Sequence, residues 1–143
     1  MFLLDTNVIS ELRRPERAAA NVVAWADGIP AAQFFLSAIS LLEIERGVLQ
    51  IERRDAQQGQ VLRCWVDEQL LVRFDARILP VDVVVATRCA RLHIPDPRSE
   101  RDALIAATAL VHGMTVVTRN VGDFAATGVA LLNPWQPESA GTP

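Results

Sequence analysis

The chain has 143 residues, a formal net charge of −3 and 50% hydrophobic residues. Such a length and apolar content point to one domain with a real core and exclude a disordered chain. The acidic balance excludes global attraction to nucleic acid, so a polyanionic ligand would have to be met by local arginines or bound cations. In chain order, Phe2-Leu3-Leu4 is a short apolar run and reads as a buried strand. Asp5 ends it, and Asn7 or Thr6 is placed to cap a helix through Val8–Leu12. A second helix is expected from about Arg17 to Asp27, stopped by Gly28-Ile29-Pro30. Phe34–Ser37 reads as a strand, and Ser40 with Glu43 matches a capping box for a helix through Gly47. Residues Arg53 to Phe74 carry helical spacing and are expected to form one long helix. Then come a strand at Ile78–Val81, a helix at Val83–Leu92, a rigid Pro95-Asp96-Pro97 loop and an alanine-rich helix Glu100–His112 closed by Gly113. Thr115–Thr118 is a strand, Arg119–Asp123 a polar loop and Val129–Asn133 the last strand.

Alternating strands and helices imply an α/β fold with a mainly parallel sheet covered on both faces. The two cysteines, Cys64 and Cys89, lack metal-type spacing and read as reduced thiols. No signal peptide or membrane span is expected, since no apolar stretch approaches about 18 residues.

Ligands of open α/β sheets collect outside the carboxyl ends of the strands. Asp5 sits at such an end, where an acid has few packing reasons to be. Glu43, Asp102 and Asp123 fall near other strand ends or helix starts. Each also has a purely structural explanation: Glu43 as a capping glutamate, Asp102 as an acid favoured by a helix dipole, Asp123 as a turn residue. Carboxylates brought together repel unless neutralised, and oxygen-only ligation suits Mg²⁺ or Mn²⁺ rather than Zn²⁺. Such a site suggests metal-assisted hydrolysis of a phosphodiester. Glu45 lies about 200° around the helix from Glu43, so both cannot face one site.

Four segments carry a resemblance: Leu3–Glu11, Ser37–Ser40 with Glu43 and Gly47, Asp102–Ala109, and Thr118–Phe124. In this order they resemble PIN-domain ribonucleases, nearest to the VapC toxins of the FitB-like branch, which also tend to end like Asn133-Pro134-Trp135. The resemblance implies a three-layer α/β/α sandwich over residues 1–135, and the Pro-, Ser- and Gly-rich composition of 136–143 reads as a flexible tail. It implies a cytoplasmic, Mg²⁺- or Mn²⁺-dependent endoribonuclease that is the toxin of a toxin–antitoxin pair. Its acidic site carries over to Asp5, Glu43 and Asp102. Members of the family place the fourth acid at the position of Asn120 or of Asp123; only Asp123 is an acid here, so it is assigned there with Asn120 as a neutral ligand, and Thr6 and Thr118 are supporting residues. Arg13, Arg14 and Arg98 are candidates to hold the RNA backbone. A homodimer and a VapB/FitA-like antitoxin are the implied partners, with DNA reached only through the antitoxin. Apolar helix faces around Trp25, Leu41, Ile44, Trp65 and Leu70 are candidate contacts for them, or simply core.

Three other readings meet obstacles in the residues themselves. A phosphorelay receiver needs a lysine beside its acids, and lysine is absent. A haloacid-dehalogenase-like phosphatase needs an aspartate two residues after Asp5, where Asn7 stands. A catalytically silent PIN module acting as a binding partner is argued against by the four acids together.

Overall fold

The computed structural model describes residues 1–136, so the expected tail lies, from residue 137 on, outside the described residues. The first apolar run forms β1 (Phe2–Leu4). Leu3 and Leu4 point to opposite faces, yet both are fully buried, as an interior parallel strand requires. With β2 (Phe34–Ser37), β3 (Ile78–Leu79), β4 (Thr115–Val117) and β5 (Leu131–Leu132) it makes a sheet ordered β3-β2-β1-β4-β5. Every pairing is parallel, where a mainly parallel sheet was expected. β3 and β5 are shorter than anticipated. Pro80, which has no N–H to donate, follows the last paired residue of β3.

One face of the sheet buries Leu4, Leu36 and Val117 against Val8 and Ile9 of α1 (Thr6–Leu12) and Ile44 and Val48 of α3 (Ala38–Arg54). The other buries Leu3 and Val116 against Ile105, Ala106 and Ala109 of α7 (Glu100–His112) and Phe124 of α8 (Val121–Phe124). Ala103 and Ala107 on α7 let α6 (Val83–Leu92) pack behind it through Val85 and Cys89. The result is the three-layer sandwich, with α2 (Ala20–Asp27) beside α1.

Helix starts differ from the sequence reading. Asp5, in extended backbone, is itself the cap of α1 and accepts the Thr6 N–H at 2.7 Å. Ser37, not Ser40, caps α3 by accepting the Ile39 N–H at 3.0 Å. The helix therefore begins directly after β2, and Ser40 is buried with an unpartnered hydroxyl. Both caps lie at the strand-to-helix junction itself, because only the extended residue that ends the strand has the backbone shape a cap needs. α2 starts at Ala20 rather than Arg17.

The long helix expected from Arg53 to Phe74 is broken. Asp55 turns to extended backbone and caps α4 (Ala56–Trp65) by accepting the N–H groups of Gln57 and Gln58. α4 then loosens into a π-type turn at Val66–Leu70 before α5 (Leu71–Arg73). Gly59 permits the α3–α4 crossing, since a Cβ there would lie 2.5 Å from the Glu52 Cα. The Arg119–Asp123 loop is partly helical, with Asn120 at the start of α8.

Candidate active site

Strand register decides which acids meet. Leu4 pairs with Val117, so Asp5 and Thr118 emerge side by side at the carboxyl end of the sheet. The Asp5 N–H donates to the Val117 carbonyl at 2.9 Å, and the Thr118 hydroxyl donates to Asp5 Oδ2 at 2.8 Å. Thr118 in turn accepts from the Asn7 amide at 3.3 Å and the Asn120 N–H at 3.1 Å. Asp5 is thus held by donors on all sides and is 1% exposed.

Glu43 sits in the second turn of α3, six residues in, so the capping explanation for it no longer applies. Its Oε1 accepts the Thr6 hydroxyl at 2.7 Å. Asp102 is at the third position of α7, where its N–H reaches the Ser99 cap at 3.4 Å. Its carboxylate turns away from the cap and toward the other two acids.

The group that joins them is Arg101, which the sequence reading passed over. Its Nε donates to Glu43 Oε2 at 2.6 Å, its Nη1 to Asp102 Oδ1 at 2.8 Å and its Nη2 to Asp5 Oδ1 at 2.5 Å. One signal for it was available. A cation in the first turn of a helix opposes the helix dipole, so an arginine at the second position of α7 breaks a local rule.

Burial pushes the Glu43 carboxyl up, but hydrogen bonds from Arg101 and Thr6 and the charges of Arg101 and Arg46 outweigh it and hold the group below its usual range. Burial would lower the proton affinity of Arg101, and the carboxylates of Glu43, Asp5 and Asp102 raise it instead. Formally, one guanidinium against three carboxylates leaves two negative charges.

Other expected site residues stand apart. Asp123 lies in the first turn of α8, exposed, and forms no side-chain hydrogen bond or ion pair with the described residues. Asn120 is exposed and contributes only its backbone N–H to Thr118. Arg13 stacks over Trp65, 5.9 Å from the ring centroid, and Arg98 donates to the Leu92 carbonyl at 2.6 Å. Two of the residues proposed for partner contacts, Ile44 and Leu70, are core. Trp65 and Leu70 line a cavity of about 370 Å³ with Leu12, Arg13, Val23 and Phe74.

A second cluster holds Cys89, His93 and Glu100, with His93 Nε2 3.1 Å from Glu100 Oε2 and 3.9 Å from Cys89 Sγ. His93 Nδ1 accepts the Arg98 N–H at 3.2 Å, so Nε2 of the neutral ring carries the proton and is not free to ligate. The Cys89 thiol is pushed up by burial and by Glu100, away from thiolate reactivity. This cluster fastens the α6–α7 connection.

The chain matches the PIN domain family over residues 2–129. It is 39% identical to Toxin FitB of Neisseria gonorrhoeae over 140 residues, covering 94% of this chain and 99% of that protein. It is 35% identical to VapC ribonuclease Y4jK of Sinorhizobium fredii over 145 residues, covering 96% and 99%. Among solved structures, FitAB bound to an IR36 DNA fragment superposes with a TM-score of 0.88 at 39% identity, covering 98% of this chain and 99% of that one. With the fold, the register and these likenesses together, the chain belongs to the PIN domain family, in the group of the FitB and VapC toxins.

Proposed function

We propose that this protein is the toxin of a toxin–antitoxin pair and that it hydrolyses RNA phosphodiester bonds at Asp5, Glu43 and Asp102, with Mg²⁺ or Mn²⁺ as cofactor. The observation that carries the reading is the convergence of three carboxylates from β1, α3 and α7 at the carboxyl end of the sheet. The names of the relatives, a toxin and a ribonuclease, support it.

The donor set fits a hard divalent cation in kind. It is oxygen-only, and its three carboxylates supply the negative charge that a dication needs. Asp5, Glu43 and Asp102 would hold the cation, with Asp123 joining from the rim of α8. Bound there, the cation would stabilise charge on a phosphoryl oxygen and ease ionisation of the attacking water. Glu43 would also orient that water and accept its proton. Thr118 and Thr6 fix the orientation of Asp5 and Glu43. Departure of the 3′ oxygen would leave a 3′-hydroxyl and a 5′-phosphate.

In this reading residues 1–135 form one PIN domain that acts in the cytoplasm as a homodimer. A VapB/FitA-like antitoxin blocks it, and DNA is reached only through that partner. No helix among the described residues is long and apolar enough to cross a membrane. Cleavage of structured RNAs by the purified protein, with Mg²⁺, Mn²⁺ or excess EDTA and beside Asp5→Asn, tests the proposal. Divalent-dependent cleavage lost in the variant is expected. Cleavage retained by pure Asp5→Asn would remove the assigned site, and no cleavage of any RNA would favour a binding module.

A further inference from the structure

We infer that Arg101 is a resident counterion that occupies the place of the divalent cation, so that metal binding must expel it. The inference rests on the metal site proposed above and concerns how that site is loaded. A magnesium ion holds its oxygens at about 2.1 Å, so any two oxygens bound to it lie within about 4.2 Å of each other. No choice of one oxygen each from Asp5, Glu43 and Asp102 brings all three within 4.8 Å of one another. The planar guanidinium keeps them apart, each acid taking a different nitrogen. Direct ligation by all three acids and the Arg101 contacts are therefore mutually exclusive.

The two states answer the same physical need. Asp5 is buried, and a carboxylate so placed is costly without a cation beside it. Arg101 supplies that cation from the residue next to Asp102, which keeps the acids assembled before any metal arrives. Its side chain is 32% exposed, so it has a path outward. A site whose competent state is only a fraction of the population binds its ligand more weakly by that fraction. Arg101 thus sets the metal concentration at which the proposed nuclease becomes active.

Calorimetric titration with Mn²⁺, at fixed ionic strength, of the wild type, Arg101→Gln and Arg46→Gln tests this. Arg46 also places positive charge near Glu43 but makes none of the site's hydrogen bonds, so it controls for charge alone. We expect Arg101→Gln to bind Mn²⁺ about tenfold or more tightly than the wild type, and Arg46→Gln within about twofold of it. Equal or weaker binding by folded Arg101→Gln, or an equal gain in Arg46→Gln, would overturn the counterion role. If Arg101→Gln does not fold, the wild type itself decides. The arginine Nε–H resonance assigned to Arg101 by its absence in Arg101→Lys should lose its protection from exchange as Mg²⁺ saturates the protein. Its survival at saturation would overturn the inference. Failure of every protein to bind Mn²⁺ at millimolar concentration would overturn the metal site itself, an outcome distinct from equal binding.

Discussion

Among the described residues two clusters each join one arginine with three acids, and α3 contributes to both. Arg101 joins Asp5, Glu43 and Asp102, while Arg63 joins Glu45, Glu52 and Asp67 at 2.8, 3.3 and 3.7 Å. Glu43 and Glu45 are two positions apart on one helix and face opposite clusters, as helical geometry demands. The partners of Arg63 lie within 18 residues of it and share the α3–α4 hairpin and its π-type turn. Their side chains are 34%, 35% and 54% exposed, and water screens such pairs. Arg101 instead reaches 58 residues to Glu43 and 96 to Asp5, and Asp5 is wholly buried at the end of a strand. The same charge composition is a solvated clasp in one place and an assembled site in the other. What separates them is sheet register, burial and the neutral donors Thr6 and Thr118.

The largest effect should fall on the buried cluster. Asp5→Asn preserves the cap, because asparagine caps helices about as well as aspartate, but it removes the charge. Divalent-dependent RNA cleavage should drop about 100-fold or more while the circular dichroism spectrum is unchanged. Loss of the fold instead would make Asp5 a structural acid. The hairpin should respond oppositely. Gly59→Ala drives a methyl into the Glu52 backbone and should cost about 1–3 kcal/mol, read as a lower melting temperature. Cleavage per folded molecule should stay at the wild-type level; a fall would tie the hairpin to the site.

Acid titration gives a smaller contrast. The Glu43 carboxyl is held below its ordinary value of 4.5, so its contribution to stability is present above that pH and is lost as the pH falls through the lower folded value. Glu43→Gln should therefore reduce the stability lost on acidification, measured by chemical denaturation at neutral pH and well below 4.5; an unchanged loss would contradict the pairing. Smallest of all is Glu45→Gln, which should leave cleavage unaltered. A loss equal to that of Glu43→Gln would mean that the wrong face of α3 has been assigned.

What could be read from the sequence was local. Phe2–Leu4 followed by Asp5, the alanine-rich helix closed by Gly113 and the alternation of strands with helices each announce themselves within a few residues, and the structure carries all of them. Helix starts failed where two candidate caps competed. Ser37 and Ser40 are equally good by type, and only the extended backbone at the end of β2 selects the first. The break at Asp55 was hidden because the periodicity of α3 and α4 runs nearly in phase across it. Arg101 was invisible because its partners come from other elements, and adjacency to Asp102 alone does not reveal a guanidinium shared by three acids. Asp123 was chosen as the only acid near the fourth position. Its carboxylate stands on α8, outside the Arg101 network.

The contrast between the clusters can be measured directly in one sample. Substoichiometric Mn²⁺ added to ¹⁵N-labelled protein broadens the amide resonances nearest the ion. The account predicts that Asp5, Asp102 and Thr118 fade first, while Glu45, Glu52 and Arg63 persist. Simultaneous or earlier loss of the Glu45, Glu52 and Arg63 signals would contradict it, because the two clusters would then be equivalent to a metal ion.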